Sequence, residues 1–313
     1  MGANTNIEWA DHSWSPWRGC TKVSPGCANC YAETLSRRNP AVLGQWGRGK
    51  PRVLAKNWGD PVRWNKMHVE SGGAHHGQPS PRVFPSLCDW LDEEVSPAWL
   101  ADFMALVNLT PHLDWLLLTK RPENWRERID AAALASTPFH QRWLVEWLKG
   151  NPPQNVWFGV SVEDQERAEE RVPMLSKIPA VVRWLSVEPM LGPLDLRLVS
   201  RATGFPKHIT ADGRCIGLPG PIDWIVVGGE SGPGARPCHT GWIRDIVLGA
   251  QRADVPVFVK QLGARAVESS MSTNEERELQ LNHPKGGDPD EWPDAIRVRQ
   301  FPNTQASDGA NRS

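Results

Sequence analysis

The chain has 313 residues, of which 40% are hydrophobic and 23% are charged, and its formal net charge is −1. This length allows one large domain of barrel size or two ordinary domains, with ample apolar content for a buried core. The near-neutral charge excludes a global attraction to nucleic acids or membranes, although a local basic patch could still bind a polyanion.

The start of the chain, MGANTNIEWADHSW, is polar and aromatic. It is typical of mature cytosolic sequence and not of a leader peptide. No apolar run in the sequence approaches the roughly 20 residues that a membrane-spanning helix needs. We therefore expect a soluble, cytoplasmic protein that does not enter a membrane.

The first feature in chain order is a cluster of three cysteines. Cys20, Cys27 and Cys30 have C-x6-C-x2-C spacing and make up half of the chain's six cysteines. Closely spaced thiolates suit a soft metal centre. Three thiolates on a [4Fe-4S] cluster leave one iron open for another ligand, whereas a structural zinc site usually has a fourth protein ligand. Spacing leaves both centres open, and the candidate fourth zinc ligands are Cys88, Cys238, His12 and His239.

Beyond the cysteines, short apolar runs alternate with helix-like segments. Each run is apolar throughout and ends abruptly in polar residues, which is typical of strands covered on both faces in a parallel sheet. The runs are 82–90, 114–122, 155–163, 182–189, 222–231 and 255–263, and a strand just before Cys20 would make seven. Between them, Ser96 and Pro97 mark one helix start, and Pro173 is expected to limit another helix. The alternation predicts right-handed βαβ units and favours an incomplete α/β barrel over an open doubly wound sheet.

Polar residues follow the ends of these runs. In a parallel barrel the carboxyl ends of the strands converge on one mouth, where such folds place their active sites. These residues are Asp89, Thr119, Lys120, Arg121, Ser161, Glu163, Ser186, Glu188, Gly229, Glu230, Ser231, Lys260 and Gln261. The segments VSVE at 160–163 and LSVE at 185–188 are alike, which indicates equivalent strand ends. Glu188 and Glu230 also allow a hydrolase with paired acids, but a hydrolase leaves the cysteines unexplained.

Several separated blocks of this sequence resemble a phage and prophage family that is described as radical-SAM-like and of unknown function. The blocks are IEWADHSWSPWRGCTKVSPGCANCYAE, LLLTKRPENW, NVWFGVSVEDQERAEERVPML, VRWLSVEPMLGPLDL, IDWIVVGGESGPGARP, VPVFVKQLG and KGGDPDEWP. They agree in order from residue 7 to about residue 302. The resemblance implies a partial barrel of the radical S-adenosylmethionine (SAM) type, in which Cys20, Cys27 and Cys30 match the family's three-cysteine motif.

The same resemblance implies a [4Fe-4S] cluster and SAM as cofactors, with reductive cleavage of SAM to start radical chemistry. The wider superfamily most often spaces its cysteines C-x3-C-x2-C, so the longer first gap leaves the cluster type open. Gly228, Gly229 and Glu230 resemble the superfamily's glycine-rich SAM-binding motif, but they follow a late strand, so that role is not transferred.

The residues at the strand ends are candidates for specific contacts. Candidate contacts to SAM are Ser161, Glu163, Ser186 and Glu188. Candidate contacts to an anionic group of the substrate are Lys120, Arg121 and Lys260, for each of which a structural salt bridge is an equal alternative. The substrate is expected to be a nucleotide or nucleic-acid base. An external electron donor and a partner protein from a neighbouring gene are expected, with the bacterial host cytoplasm as the location if a phage encodes the chain. The alternative is a zinc-stabilised protein that binds nucleic acid or protein without radical chemistry.

The domain organisation follows from these runs. Residues 1–265 are expected to form the barrel, with an insertion near 195–221. Residues 266–302 are expected to pack on the barrel as a C-terminal extension, and 303–313 to be a disordered tail. Cys88 and Cys215 are interpreted as buried or incidental thiols.

Overall fold

The computed structural model describes residues 5–73, 76–196, 207–209, 215–219, 222–269 and 276–303. The strands are β1 (His12–Ser13), β2 (Trp17–Arg18), β3 (Val53–Leu54), β4 (Arg82–Phe84), β5 (Asp114–Thr119), β6 (Val156–Ser161), β7 (Val182–Val187), β8 (Lys207–Ile209), β9 (Cys215–Pro219), β10 (Trp224–Gly228), β11 (Cys238–His239), β12 (Val257–Gln261), β13 (Ala266–Ser269) and β14 (Glu276–Glu278). The α-helices are α1 (Tyr31–Ser36), α2 (Pro40–Leu43), α3 (Gly59–Glu70), α4 (Pro97–Leu109), α5 (Trp125–Ala135), α6 (Pro138–Leu148), α7 (Gln165–Leu175) and α8 (Thr240–Arg252).

One seven-stranded parallel sheet organises the fold. Its strand order is β1-β4-β5-β6-β7-β10-β12, so each strand pairs with the next member of the sheet along the chain. A doubly wound sheet instead reverses its strand order at a switch point. The sheet curls into a half-barrel flanked by helices, which is compatible with a partial β/α barrel. Each of the six predicted runs contains one strand of this sheet, and the seventh strand is β1, whereas β2, the strand directly before Cys20, pairs antiparallel with β3 outside the sheet.

The helices cover the outer face of the sheet. On β6, Val156, Phe158 and Val160 belong to a large buried cluster that also holds the apolar residues of α4 to α8. The adjacent residue on that strand, Trp157, belongs to a second cluster to which no described helix contributes. Alternation along each strand therefore separates a helix-facing surface from an inner surface.

Tryptophans fill the inner surface at the amino ends of the strands. Trp157, Trp184 and Trp224 lie there with Trp9, and all four are buried. The Trp184 ring occupies the space above Gly159, where an added Cβ would lie 2.3 Å from Cε2. Large rings bury much area, so this cluster forms a packed floor to the half-barrel. Most of the 17 tryptophans of the chain belong to the core.

Two helix boundaries test the sequence signals. Ser96 caps α4 as predicted, because its side chain accepts a hydrogen bond from the Trp99 amide at 3.3 Å, and Pro97 is the first helical residue. Pro173 lies inside α7, which ends two residues later at Leu175, so the helix extends only briefly past the proline, as predicted.

The segment 276–303 lies against the barrel. The Val259 amide donates to the Val298 carbonyl at 2.8 Å, and the Trp224 indole donates to the Gln300 carbonyl at 2.8 Å. Trp292 is buried. Of the insertion near 195–221, the structure describes residues 195–196 and the antiparallel pair β8–β9. The rest of the insertion and the tail lie outside the described residues, namely 197–206, 210–214, 220–221 and 304–313. Within the described part of the chain, no helix combines the length and apolar character needed to cross a membrane.

Candidate functional site

A layer of polar side chains lies above the tryptophan floor, at the carboxyl ends of the strands. Ser161 and Ser186 are direct partners across β6 and β7, so the two similar segments VSVE and LSVE are equivalent strand ends, as predicted. The Lys120 ammonium donates to Ser161 Oγ at 2.7 Å. Glu188 Oε1 accepts from Lys260 Nζ at 2.5 Å. We call these five residues the mouth layer. Five of the seven predicted cofactor and substrate contacts therefore meet in one connected group.

The three cysteines lie on one loop beside this layer. The cysteine loop, residues 20–30, begins after β2 and ends where Cys30 forms the N-cap of α1. Cys20 forms a β-bridge with Trp46. Cys27 ends a short 3-10 helix that begins at Pro25. All three thiols are unpaired and partly buried, so none is committed to a disulfide.

The electrostatic surroundings of the thiols are mixed. Burial raises the pKa of Cys20 to about 12; the Asp89 carboxylate adds to this rise and the Arg121 guanidinium opposes it. Burial also raises the pKa of Cys30, against which Lys120 acts. Without a bound metal these two cysteines are therefore protonated at neutral pH, and a metal would have to displace their protons.

Arg121 ties the start of the cysteine loop to the barrel. Its Nη1 donates to Asp89 Oδ2 at 2.9 Å and lies 3.7 Å from Cys20 Sγ, while its Nη2 donates to the Thr21 carbonyl at 2.6 Å. The side chain is 2% exposed. Asp89 also accepts from the Thr119 hydroxyl at 2.7 Å. Arg121 was predicted to bind an anionic substrate group, but its terminal nitrogens are already engaged within the protein.

Glu163 contacts the middle of the cysteine loop. Its Oε1 accepts from the Ser24 hydroxyl and from the Gly26 amide, the latter at 3.2 Å. Its Oε2 accepts from Arg171 Nη1 of α7 at 2.9 Å, and neither member of this pair is more than 3% exposed. Burial would raise the pKa of Glu163, yet the charges of Lys120 and Arg171 and the Ser24 hydrogen bond together hold that pKa below its ordinary value.

Glu230, after β10, contacts the same loop from another strand. Its Oε2 accepts from Asn29 Nδ2 at 2.9 Å, and its Oε1 accepts from Arg236 Nη2 at 2.6 Å. Arg236 in turn donates from Nη1 to the Pro25 carbonyl at 3.0 Å. Although burial opposes it, hydrogen bonds from Arg236 and Asn29 hold the pKa of Glu230 below its ordinary value. Both carboxylate oxygens of Glu230 are thus engaged by Asn29 and Arg236.

Sequence reasoning missed the residues that complete these contacts. Ser24, Gly26, Asn29, Arg171 and Arg236 were not candidates. Arg171 lies in a charged helical stretch that resembles an ordinary solvated face, and Arg236 follows a glycine-rich turn. Ser24 and Gly26 lie more than 130 residues from Glu163 in the sequence, so no local pattern marks these two loop contacts.

The candidate fourth ligands of a zinc site lie in different places. Cys88 lies beside the start of the cysteine loop, because the Gly19 amide donates to the carbonyl of its neighbour Leu87 at 3.3 Å. Burial raises the pKa of Cys88 well above its ordinary value. His12 stacks on Trp64 with ring centroids 4.2 Å apart. Cys238 is buried in β11, and His239 packs on Trp242 at 4.3 Å. Cys88 is therefore the candidate that the fold brings to the cysteine loop.

The donor set fits a thiolate-ligated centre in its chemistry. Three unpaired thiols share one loop, and the positive charges of Arg121 and Lys120 oppose the rise that burial causes in the pKa of Cys20 and of Cys30. Thiolates are the ligands that iron-sulfur clusters and structural zinc prefer. Among the described residues, no three histidine, cysteine, aspartate or glutamate side chains are already placed as a metal-binding group.

Fold and site together define an α/β protein with a curled parallel half-barrel and a three-cysteine loop at its mouth. A family model described as "Protein of unknown function (DUF5131)" matches residues 4–289. The chain belongs to this family. Comparison with curated proteins and with solved structures gives no significant match.

Proposed function

We propose that this protein is a radical-SAM-like iron-sulfur enzyme that reductively cleaves SAM to start radical chemistry. The observation that carries the proposal is the position of the three unpaired thiols. They lie on one loop, beside a layer of serines, a carboxylate and two lysines, at the mouth of a parallel half-barrel. The carboxyl mouth is where barrels of parallel strands place their chemistry.

Cys20, Cys27 and Cys30 would hold a [4Fe-4S] cluster. When bound, such a cluster with one open iron supplies one electron to SAM, which breaks a carbon–sulfur bond and yields methionine and a deoxyadenosyl radical. The protein's part is to position the reactants and exclude water. Lys120 and Arg121 favour the anionic ligands electrostatically, and an external donor protein supplies the electron.

The mouth layer supplies the contacts to cofactor and substrate in this proposal. Ser161, Ser186 and Glu188 have oxygen atoms suited to the ribose and amino groups of SAM. Lys120 and Lys260 are suited to an anionic group of the substrate. Glu163 and Arg121, which the sequence also offered for these roles, are assigned to the cysteine loop instead because their polar atoms already bind it.

We further propose that the substrate is a nucleotide or nucleic-acid base. Residues 34–59 hold six Lys or Arg and no Asp or Glu, although the whole chain has a net charge of −1. This basic lobe adjoins the cysteine loop, since the Gly47 amide donates to the Cys20 carbonyl at 2.9 Å. Arg38, Arg48, Lys50 and Lys56 are exposed on it. Exposed cations beside the mouth would attract a phosphate backbone.

The test of the radical chemistry is anaerobic purification and cluster reconstitution. Iron, sulfide and zinc are quantified, and electron paramagnetic resonance of the dithionite-reduced protein is recorded with and without SAM. The proposal expects about four irons per chain and a cluster signal that SAM perturbs and that Cys30→Ala abolishes. One zinc per chain without iron would refute it.

The second candidate is a zinc-stabilised binding protein, which the proximity of Cys88 to Cys20 favours. A site of four cysteines is a common structural zinc site. In that case Cys88→Ser would lose the metal as completely as Cys30→Ala. Under the radical proposal, Cys88→Ser keeps its iron.

The substrate proposal has its own test, the binding of a single-stranded oligonucleotide followed by fluorescence anisotropy at several salt concentrations. Removal of two basic-lobe cations in Arg48→Ser/Lys50→Ser should weaken binding and reduce the salt slope by about one per cation removed. The matched control is Arg142→Ser/Lys149→Ser, which removes two exposed cations at α6. Equal binding by the two double variants would contradict the assignment of the basic lobe.

A further inference from the structure

The middle of the cysteine loop is held from two strand ends that are not adjacent in the sheet. Glu163, after β6, binds Ser24 and Gly26. Glu230, after β10, binds Asn29, and its partner Arg236 binds the Pro25 carbonyl. Strand β7 lies between β6 and β10. The two carboxylates, together with Arg236, therefore hold the loop on both sides of Cys27. One carboxylate does so from the β6 side of β7 and the other from the β10 side.

We infer that Glu163 and Glu230 are positioning residues that fix the cysteine loop, and above all Cys27, over the mouth of the half-barrel. Neither carboxylate binds a thiol directly. Each carboxylate instead accepts hydrogen bonds from the loop. Each also pairs with an arginine that neutralises its charge, Arg171 for Glu163 and Arg236 for Glu230. The inference concerns the loop itself and holds whichever metal the thiols bind.

Burial shows why the carboxylates are suited to this role. The Glu163 side chain is fully buried and that of Glu230 is 5% exposed. Hydrogen bonds between a buried ion and a loop are stronger and better oriented than those at an exposed surface. A loop with such bonds at Ser24, Gly26 and Asn29 has little freedom left, so its thiols are ordered before any ligand binds.

Gly26 provides an independent geometric sign of the same contact. A Cβ built on this residue would lie 2.7 Å from Glu163 Oε1 and 3.0 Å from Cδ. Real Cβ atoms do not approach other atoms so closely, so any larger residue at 26 would push the loop away from the carboxylate. The close approach of loop and carboxylate is therefore a packed contact and not only a pair of hydrogen bonds.

Two charge-neutral variants test the inference. Gly26→Ala displaces the loop from Glu163. Asn29→Ala removes the loop's hydrogen bonds to Glu230 and to the Gly234 carbonyl while leaving the Glu230–Arg236 pair intact. Neither variant removes a charged group, so a change in thiol reactivity cannot arise from the loss of a nearby carboxylate charge. The matched controls are Gly249→Ala, where an added Cβ meets nothing within 4 Å, and Asn151→Ala, which removes an asparagine bond to Glu146 at the end of α6.

The measurement is the rate of iodoacetamide alkylation of each cysteine in the full-length, metal-stripped chain, resolved by mass spectrometry. The inference expects Cys27 to react at least tenfold faster in Gly26→Ala and at least threefold faster in Asn29→Ala, with no change in the controls. Cys238 is 1% exposed and reports global unfolding. Its rate should stay at the wild-type value in every variant.

A coupling experiment identifies Glu163 as the partner of Gly26. In a Glu163→Ala background, which removes the carboxylate that Gly26→Ala would strike, the added methyl group should accelerate Cys27 by less than twofold. A Cys27 rate within twofold of wild type in both single variants would overturn the inference, as would equal acceleration of Cys27 and Cys238. Metal analysis tests the proposed function separately, because the alkylation rates here are measured on the metal-stripped protein.

Discussion

The ends of β6 and β7 carry nearly the same four residues, VSVE at 160–163 and LSVE at 185–188. Their serines are direct cross-strand partners, so the two segments also share register. Their glutamates nevertheless serve different contacts. Glu163 is fully buried and binds the cysteine loop and Arg171, whereas Glu188 is 18% exposed and pairs with Lys260 in the mouth layer.

The difference arises from what the fold brings to each strand end. The cysteine loop and α7 both cover the end of β6. Beyond the end of β7, the Glu188 side chain pairs with the ammonium group of Lys260 at the end of β12. Similar sequence and register thus produce one fully buried carboxylate that holds the loop and one partly exposed carboxylate in the mouth layer.

The largest expected effect is the loss of stability in Glu163→Gln compared with Glu188→Gln. Glu163→Gln leaves the buried guanidinium of Arg171 without its charged partner, which costs about 3–5 kcal/mol. Glu188→Gln breaks a partly exposed pair, which costs about 1 kcal/mol or less. Urea unfolding followed by circular dichroism measures both values, and equal losses would contradict the distinction between the two carboxylates.

Acidification should abolish the effect of Glu163→Gln. The folded-state pKa of Glu163 is held below its ordinary value of 4.5, despite its burial, by Lys120, Arg171 and Ser24. A lowered folded pKa contributes stability above the unfolded pKa, and that contribution is lost as the pH falls through the folded pKa. The difference in unfolding free energy between wild type and variant should therefore be constant above about pH 5.5 and shrink steadily below pH 4.5. A difference that stays constant down to the acid unfolding limit would exclude this linkage.

The contact between β6 and β7 beneath the mouth should also be sensitive. Gly159→Ala places a methyl group 2.3 Å from the Trp184 ring, which should destabilise the fold by about 1–3 kcal/mol through overpacking. Gly249→Ala, in α8 with open space around it, should instead stabilise by about 0.5–1 kcal/mol because alanine favours the helix. Thermal unfolding of the two variants gives the comparison. Stabilisation by both would mean that the Trp184 ring can move aside.

The smallest expected effect on stability belongs to the mouth layer. Ser161→Ala removes the hydrogen bond from Lys120 and a longer one, at 3.3 Å, to the Glu188 carbonyl, and the unfolding free energy should fall by about 1 kcal/mol. If the mouth layer binds SAM as proposed, the same variant should weaken SAM binding about tenfold in isothermal titration calorimetry. Unchanged SAM affinity would remove Ser161 from the cofactor site and leave Ser186 and Glu188 to be tested.

The fold was largely predictable because its signals are local. Runs such as 114–122 and 155–163 are apolar throughout, and both became central strands of the sheet. Ser96 and Pro97 marked the start of α4 for equally local reasons. Pro173 marked the end of α7 in the same local way, since the helix ends two residues after it.

The residues of the site were predictable only as a set. Each strand end could be recognised from the change to polar residues, so Ser161, Glu163, Ser186, Glu188 and Lys260 were all identified. Their individual partners could not be derived, because the bond from Ser24 to Glu163 joins residues 139 positions apart. The hydrogen bonds of Arg121 to Asp89 and to the Thr21 carbonyl could not be derived from the sequence either.

The sequence by itself determined the class of fold, the convergence of polar strand-end residues at one mouth and the presence of three closely spaced thiols at Cys20, Cys27 and Cys30. Residue type and short-range periodicity are sufficient for these conclusions. Only the tertiary structure decided that Glu163 and Glu230 hold the cysteine loop while Glu188 faces Lys260. The reason is physical: the environment of a carboxylate depends on which distant segments fold against it, and two nearly identical local sequences can be covered differently.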